Sequence, residues 1–448
     1  MSRSRSIVLT VVVTLGAAAA IAIAWQPGTS EARRDAAKPT YLADVKPILD
    51  GRCAGCHHVG GIAPFSLTTY AGARTHREEI AYAVTHRLMP PWHAKRGVRQ
   101  YLNDPSLTTA QIETLVRWVK GGAPRGDRVG KRTTLPSVTP KLSRVDLRVQ
   151  LPQPYTPRGW LPGGDDYHCF DIPWTADTTK YVTGFSAIPG VPTEVHHIIA
   201  FLAHPNDAAT VDGWDTADPG PGYRCYGGAS AVGAETIPVR LLSGWAPGSA
   251  GGDFPAGTGI DVQPGSRLIL QVHYNLRHAH MTGGPKPDRT ALEFALADRV
   301  DRLAAMLPVV NFGWIISPPT FSIPAGARQL THTWTGDPSL AARFFAPDLD
   351  LARGLTIEGA ILHMHGLGRT ARLEVVHADG KREPLLVIPR WDFNWQRAYY
   401  LAQPAQLAAG DQLSVSCTHT NTTKRTITWG ESSSDEMCIG FVYVAQNG

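Results

Sequence analysis

The chain has 448 residues, enough for about three domains of about 150 residues each, so a single-domain protein is not expected. Its 43 Lys and Arg residues nearly balance 38 Asp and Glu residues, and only 18% of the chain is charged. This excludes a disordered protein and gives no sign of a nucleic-acid partner. The 44 Gly and 35 Pro residues have no collagen-like period and predict many turns between short strands.

The N-terminus has the pattern of an export signal. Arg3 and Arg5 precede an uncharged run over residues 7–24, which closes with a small-x-small triplet. Both cleavage after residue 24 and retention of 1–24 as a membrane anchor remain open. Either version places residues 25–448 in the periplasm or another extracytoplasmic compartment, where disulfides persist.

Residues 40–122 have helical periodicity. Apolar residues recur at helical spacing from Tyr41 to Leu49 and lead into a cysteine motif. Further along, Thr108 and Gln111 form a capping-box pattern before an apolar stripe that two glycines end. A small all-α domain is predicted, followed by a basic, Pro-containing linker.

The cysteine motif is C-A-G-C-H, formed by Cys53, Cys56 and His57. This is the attachment signature of c-type haem, in which both thiols bond to the macrocycle and the histidine reaches the iron. A thioredoxin-like pair or half of a zinc site fits less well, because no βαβ pattern and no second cysteine pair lie nearby. One covalently bound haem c is therefore predicted.

The second axial ligand of this haem is predicted to be Met89, in R-L-M-P-P-W-H. His86 and His93 are the alternatives. The segment resembles class I cytochromes c of the M-P-P-W type. That resemblance implies a helical fold around the haem and a role in electron transfer.

From residue 146 onward, short apolar runs separated by Pro and Gly predict β structure. Its length exceeds one ordinary sandwich, so we expect two all-β domains that divide near residue 305. The strand candidates are 195–202, 267–274, 357–365, 371–376, 412–416 and 439–444.

Histidines within these strands have metal-like spacing. His363 and His365 project from the same face of an extended strand, so they can grip one metal. Adjacent His196 and His197 project to opposite faces, so a shared ion requires a bulge or different ring nitrogens. The full set of predicted metal ligands in the β region is His196, His197, His273, His363, His365 and Met437. A thioether beside imidazoles favours copper that visits Cu(I).

The order of these motifs is H-H, then Q-V-H-Y, then H-x-H, then S-S-D-E-M-C. Over roughly residues 150–446 it resembles the copper type II, ascorbate-dependent monooxygenases, the family of peptidylglycine α-hydroxylating monooxygenase and dopamine β-monooxygenase. The resemblance implies two jelly-roll-like sandwiches facing each other across a solvent-filled cleft, with one copper in each. It also implies that the first histidine set stores an electron and that the catalytic residues His363, His365 and Met437 hold the copper where O2 and substrate meet.

The chain departs from the peptide-amidating members at two positions. Ile361 stands where they carry an arginine for the peptide carboxylate, and Phe441 stands where they carry a tyrosine. An apolar pair cannot satisfy a buried carboxylate. We therefore expect a largely apolar small-molecule substrate.

Six units are predicted along the chain: a signal peptide or anchor (1–24), a spacer (25–39), a cytochrome c domain (40–122), a linker (123–145), and N-terminal and C-terminal copper monooxygenase domains (146–305 and 306–448).

The expected function is hydroxylation of a C–H bond with O2, using two copper ions and electrons from the chain's own haem. The external donor is quinol-linked, a cytochrome chain or an ascorbate-like reductant. The histidine copper of the first β domain is expected to be reduced first, because that domain follows the haem domain in the chain. The alternative is a haem and copper protein for electron transfer or copper handling, without hydroxylase activity.

Four cysteines remain in the β region, and they allow three pairings. We predict Cys169–Cys225 and Cys417–Cys438, because each bond then stays within one β domain. With all four paired, no free thiolate is left for a blue-copper site. His278 and His280 precede a Gly- and Pro-rich loop and are predicted to be exposed, while the isolated His332, His377 and His419 are given structural roles.

Overall fold

The computed structural model describes residues 38–59, 61, 63–127, 142–161, 163–234, 237–246, 251–277, 279 and 283–448. Residues 39–448 form one compact unit. The predictions for the export signal, for most of the spacer and linker, and for His278 and His280 lie outside the described residues. In the described ranges, no helix has the length and apolar character needed to cross a membrane.

The segment before the linker consists of short helices. A π-helical turn over Tyr41–Val45 leads into α1 (Lys46–Arg52), and α2 (Tyr70–Thr75), α3 (Arg77–Thr85) and α4 (Thr109–Lys120) follow. These helices enclose a core of their own, in which Leu49, Leu115 and Trp118 are fully buried. The predicted helical periodicity is therefore present in the structure.

The capping box predicted at the start of α4 is confirmed. The Thr108 hydroxyl accepts a hydrogen bond from the Gln111 amide, and the Gln111 side chain accepts one from the Thr108 amide. These two bonds satisfy backbone donors that the first turn of a helix leaves free. The helix ends at Gly121, as the sequence indicates.

The remainder is mainly β structure. The first ten strands are β1 (Leu147–Gln150), β2 (Asp165–Pro173), β3 (Lys180–Ile188), β4 (Val195–Ala203), β5 (Tyr223–Arg224), β6 (Val239–Trp245), β7 (Gly252–Asp253), β8 (Thr258–Val262), β9 (Arg267–Asn275) and β10 (Ala291–Ala297). The next ten are β11 (Arg302–Val309), β12 (Ser322–Ile323), β13 (Leu330–Gly336), β14 (Leu355–His363), β15 (Gly368–Val376), β16 (Arg382–Ile388), β17 (Tyr399–Leu407), β18 (Gln412–His419), β19 (Ile427–Thr428) and β20 (Ile439–Gln446). Short helices α5 (Ala208–Ala217), α6 (Phe312–Ile316) and α7 (Ser339–Phe345) lie between strands. All six strand candidates coincide with observed strands, which confirms the β architecture.

The strands form one long sheet, two shorter sheets that pack on it, and a two-stranded sheet of β12 and β19. The long sheet has the order β1-β10-β3-β8-β11-β20-β14-β17, with β7 paired to β3. A five-stranded sheet, β5-β2-β9-β4-β6, carries the first histidine set, and a four-stranded sheet, β13-β18-β15-β16, belongs to the second β domain. Each shorter sheet encloses its own core against the long sheet.

The boundary expected near residue 305 falls inside a strand that serves both cores. In β11, Ala304 and Met306 pack into the first core, whereas Ala305 and Leu307 pack into the second. Successive strand residues point to opposite faces, so one strand buried on both sides joins two domains without a linker. A polar spacer between the β domains is therefore absent at this position.

The M-P-P-W-H loop and the residues after it dock on the second β domain. The Trp92 ring lies 4.9 Å from the Tyr399 ring, and the Tyr101 hydroxyl donates to the carbonyl of Leu385. Backbone bonds join Leu102 to Tyr400 and Ala402 to Gln100. Aromatic packing and edge pairing thus place this loop on the second β domain, although the first β domain follows it in the chain.

Both predicted disulfides are confirmed. Cys169 pairs with Cys225 and Cys417 pairs with Cys438, whereas Cys53 and Cys56 are free thiols. The second bond links the end of β18 to the residue beside Met437, over a sequence separation of 21.

Replacing both Cys417 and Cys438 by serine should lower the stability of the second β domain. A loop of this size is expected to contribute about 3 kcal/mol by restricting the unfolded chain. Denaturant unfolding followed through the second-domain tryptophans should show an earlier midpoint in the variant. An unchanged midpoint would contradict a stabilising role for the bond.

Candidate metal centres

The first histidine set depends on a β-bulge. His196 and His197 lie in β4, and His273 lies in the neighbouring strand β9. The ladder passes from the pair Val195 and Tyr274 directly to the pair His197 and His273, so His196 is the extra residue. A bulge of this kind turns two adjacent side chains toward one point. Of the two alternatives left open by the sequence, a bulge or different ring nitrogens, the structure shows the bulge.

The three rings of this set face one another through the same nitrogen. The Nδ1 atoms of His196 and His197 are 3.4 Å apart, those of His196 and His273 are 3.2 Å apart, and those of His197 and His273 are 3.3 Å apart. A point at the centre of this triangle lies about 1.9 Å from each nitrogen, close to the ~2.0 Å of a metal–imidazole bond. The three atoms are spaced to hold one ion.

Asp165 orients one of these rings. The His273 Nε2 donates to Asp165 Oδ1 at 3.1 Å, which leaves Nδ1 with the free lone pair. The Asp165 carboxylate also accepts from Asn275 and from the amide and hydroxyl of Ser433. Burial raises the pKa of Asp165, but the contacts with His273 and Ser433 outweigh it and hold this pKa at about 2. The aspartate is thus ionised whenever the site is in use.

Burial keeps the rings neutral and able to ligate. It lowers the pKa of His196 to about 3, with a smaller contribution from the charge of His273. Burial likewise places the pKa of His197 well below its ordinary value. A neutral imidazole has the lone pair that a metal needs.

Asp165→Asn should weaken metal binding at the first set without emptying it. Asparagine keeps an acceptor for His273 but removes the charge that makes the ring more basic, and losing such an outer partner costs about 10- to 100-fold in affinity. Competition with a copper chelator would measure this change. The control is Asp207→Asn, in an exposed turn after β4. Equal affinities in both variants would contradict the role given to Asp165.

The second histidine pair is held by two different acceptors. His363 is the last residue of β14, and its Nδ1 donates to Gln396 Oε1. His365 lies in the turn beyond the strand, and its Nδ1 donates to the carbonyl of Asp435 at 3.2 Å. His365 thus lies beyond the strand in which it was expected, whereas His363 lies within it. Both rings keep Nε2 free for a metal.

Glu436 brings Met437 next to this pair. His363 pairs with Ile439 across β14 and β20, and continuing that register beyond the ladder sets His365 opposite Met437. The Glu436 carboxylate accepts from the amides of His365 and Met437, at 2.8 and 2.9 Å. Met437 is only 5% exposed. Burial raises the pKa of Glu436 to about 7.

Phe393 lies between the two sets. Its ring centroid is 4.7 Å from that of His196 and 5.7 Å from that of His365. Ser433, in the loop before Met437, also binds Asp165 of the first set. At these contacts the two β domains meet through side chains, rather than across the solvent-filled cleft that the resemblance implies.

The C-A-G-C-H turn has a donor set that fits a covalently bound haem. The His57 Nδ1 donates to the carbonyl of Phe65 at 3.1 Å, which leaves Nε2 free to ligate. The Cys53 and Cys56 thiols are unpaired and available for covalent attachment. Burial raises the pKa of Cys53 to about 12, so that sulfur is held as a neutral thiol in the protein alone.

Met89, His86 and His93, the predicted candidates for the second axial ligand, differ in their surroundings. Met89 is partly buried in the loop after α3. His86 is exposed and bonds to the carbonyl of Tyr82 at 2.8 Å. His93 lines a small cavity in the second β domain with Leu362 and Trp391. Met89 therefore stays the best candidate.

The isolated histidines have structural partners. His377 lies between Asp411 and Glu383, at 3.0 and 3.1 Å. His332 stacks on Phe321, and His419 contacts the same ring. These contacts agree with the structural roles expected for them.

Sequence reasoning missed Asp165, Gln396 and Phe393. Asp165 lies far from His273 in the chain, and nothing in the pattern around Gln396 or Phe393 marks them. Glu436 stands inside the S-S-D-E-M-C motif, so that motif was a signal for it.

The sequence of the second β domain is similar to that of known proteins. Residues 346–447, which carry His363, His365 and Met437, match the family profile described as copper type II ascorbate-dependent monooxygenase, C-terminal domain. This segment is therefore similar to the C-terminal domain of that family. Individual proteins with similar sequences match a longer part of the chain than this profile does. MOXD1 homolog 1 of Drosophila melanogaster is 26% identical over 206 residues, which are 44% of this chain and 27% of the relative.

DBH-like monooxygenase protein 1 is a second relative, found in several animals. The protein of Gallus gallus is 24% identical over 252 residues, 55% of this chain and 38% of the relative. That of Mus musculus is 24% identical over 321 residues, 70% of this chain and 48% of the relative. The chain thus spans less than half the length of each of these relatives. The profile match is confined to residues 346–447.

Proposed function

We propose that this protein is an exported copper-dependent monooxygenase that hydroxylates a C–H bond of a small organic substrate. The observation that carries the proposal is the triangle of Nδ1 atoms from His196, His197 and His273, with edges of 3.2 to 3.4 Å. It is joined through Phe393 to a second pair of histidines in a monooxygenase C-terminal domain.

Six side chains would hold two copper ions: His196, His197 and His273 at the first site, and His363, His365 and Met437 at the second. Bound copper supplies one-electron storage and the activation of O2. The overall reaction takes R–H, O2, two electrons and two protons to R–OH and water. Two sites with one electron each meet that requirement.

The protein's own residues prepare these sites. Asp165, Gln396 and the Asp435 carbonyl fix which nitrogen is free in His273, His363 and His365, respectively. Burial places the pKa values of His197 and His365 well below their ordinary value, which favours the neutral rings that a metal needs. Glu436 fixes the backbone of His365 against that of Met437, so these two residues are already adjacent before a metal binds.

The neighbourhood of His363 is apolar. Ile361 pairs with Phe441 across β14 and β20, and both side chains pack against the core of the first β domain. Such a surface excludes water and offers nothing to a carboxylate. We infer a largely apolar substrate without a required carboxylate group.

The electrons would come from a c-type haem held by Cys53, Cys56, His57 and Met89. The support is the free pair of thiols and the orientation of His57, whose Nε2 is left for iron. An external periplasmic donor, quinol-linked or ascorbate-like, would reduce it. The two disulfides suit such a compartment.

The test combines composition with chemistry. Purified protein should contain two coppers and one covalent haem per chain, and a strain lacking the gene should accumulate an apolar compound that its parent hydroxylates. Supplying that compound with 18O2 to the reduced protein should place one labelled oxygen in the product. Electron transfer without oxygen incorporation would support the alternative function instead, and efficient amidation of a glycine-extended peptide would contradict the inferred substrate class.

A further inference from the structure

The segment between β16 and β17 contacts every candidate site. Gln396 accepts from His363, and Phe393 contacts both His196 and His365. The next residue after Gln396 is Arg397, which extends in the direction of the helical segment. Its guanidinium carbon lies 5.1 Å from the centroid of the Trp92 ring, in the M-P-P-W-H loop, and 6.0 Å from that of Tyr399.

Arg397 is a half-buried cation whose Nε donor is buried and unsatisfied. Its Nε is shielded from solvent and has no hydrogen-bond partner among the described residues. Asp104 is the carboxylate in the described part of the chain whose charge acts on it. Burial lowers the pKa of Arg397. A buried cation without an anion is costly, and the two aromatic faces offset only part of that cost.

The group next to this cation is the C-A-G-C-H turn. The charge of Arg397 acts on the Cys56 side chain, which places these two groups near each other. The Arg397 guanidinium of the second β domain and the Cys56 thiol of the helical segment therefore lie close enough to interact electrostatically. A haem attached at Cys53 and Cys56 would occupy this neighbourhood, and a haem carries two propionate carboxylates.

We propose that Arg397 binds a propionate carboxylate of the haem held by Cys53, Cys56 and His57. The inference rests on the haem of the proposed function, and it adds a ligand-binding residue supplied by the second β domain. A planar guanidinium is suited to this, because it pairs with a carboxylate through two parallel hydrogen bonds. The haem would then be held from both sides of the interface, and the residue that binds it would adjoin Gln396, the partner of His363.

The test measures the haem midpoint potential in haem-loaded wild type, Arg397→Met and Arg397→Lys. Removing a positive charge beside the haem favours the oxidised state. Arg397→Met should therefore lower the equilibrium constant for reduction at least tenfold, which is about 59 mV for a one-electron couple. Arg397→Lys should keep most of the wild-type potential. The matched control is Arg390→Met, which removes an exposed arginine from the same segment.

A midpoint potential in Arg397→Met equal to that of the wild type, with covalent haem fully retained, would overturn the inference. Absence of covalent haem from the wild-type protein, seen as a missing haemochrome spectrum, would overturn the haem assignment itself. The two failures are distinguishable, because the first leaves the haem spectrum intact.

Thermal stability gives a second measurement. Arg397→Met should destabilise the haem-loaded protein, since a propionate loses its partner. In a Cys53→Ser, Cys56→Ser background the same change should be neutral or stabilising, because it removes a buried, unpaired charge. Equal destabilisation in both backgrounds would mean that Arg397 only packs on Trp92, and would overturn the proposal.

Discussion

Replacing His197 by alanine should leave one copper per chain and abolish hydroxylation. His197 contributes one corner of the Nδ1 triangle, and its side chain lies directly opposite His273 in the strand ladder. Two nitrogens then remain at a site shaped for three. The loss should exceed the about 10- to 100-fold cost of removing an outer partner, because a direct ligand is gone.

Copper content after dialysis, together with electron paramagnetic resonance of the oxidised protein, would measure the effect. The second site and the haem should be unaffected, because His197 contacts neither Glu436 nor Gln396. His204→Ala is the control, since this histidine is exposed just after the same strand. Two tightly held coppers in His197→Ala would show that the first set is a structural cluster.

Replacing Met437 by leucine should keep the haem and the first copper but remove oxygen chemistry. Leucine has a similar volume, so the buried position should cost less than about 1.5 kcal/mol, yet it cannot ligate. The backbone clamp from Glu436 to His365 and Met437 does not involve the thioether and should persist.

X-ray absorption of the reduced protein would detect this change directly. The wild type should show a sulfur neighbour of copper, and Met437→Leu should lack it while turnover falls. Met306→Leu is the matched control, because Met306 is equally buried in β11 but lies in a core between sheets. Normal turnover in Met437→Leu with two coppers present would show that Met437 only packs in the core and is not a ligand.

The sequence alone predicted those features that depend on local chemistry or on short-range periodicity. The capping box at Thr108 follows from the hydrogen-bonding of one helical turn. The bulge at His196 follows from the alternation of side chains along a strand, given that both histidines must face one ion. The haem-attachment motif and the choice of disulfides likewise needed only residue types, spacing and a domain division.

Only the tertiary structure decided which distant groups meet. Asp165 and His273 lie on neighbouring strands, and Arg397 reaches Trp92 across an interface between segments remote in the chain. The M-P-P-W-H loop docks on the second β domain rather than on the first, which follows it in the chain, because Trp92, Tyr101 and Tyr399 pack their rings together there. Local patterns specify helices, strands and ligand types, whereas the pairing of remote surfaces depends on shape, burial and charge that exist only once the chain has folded.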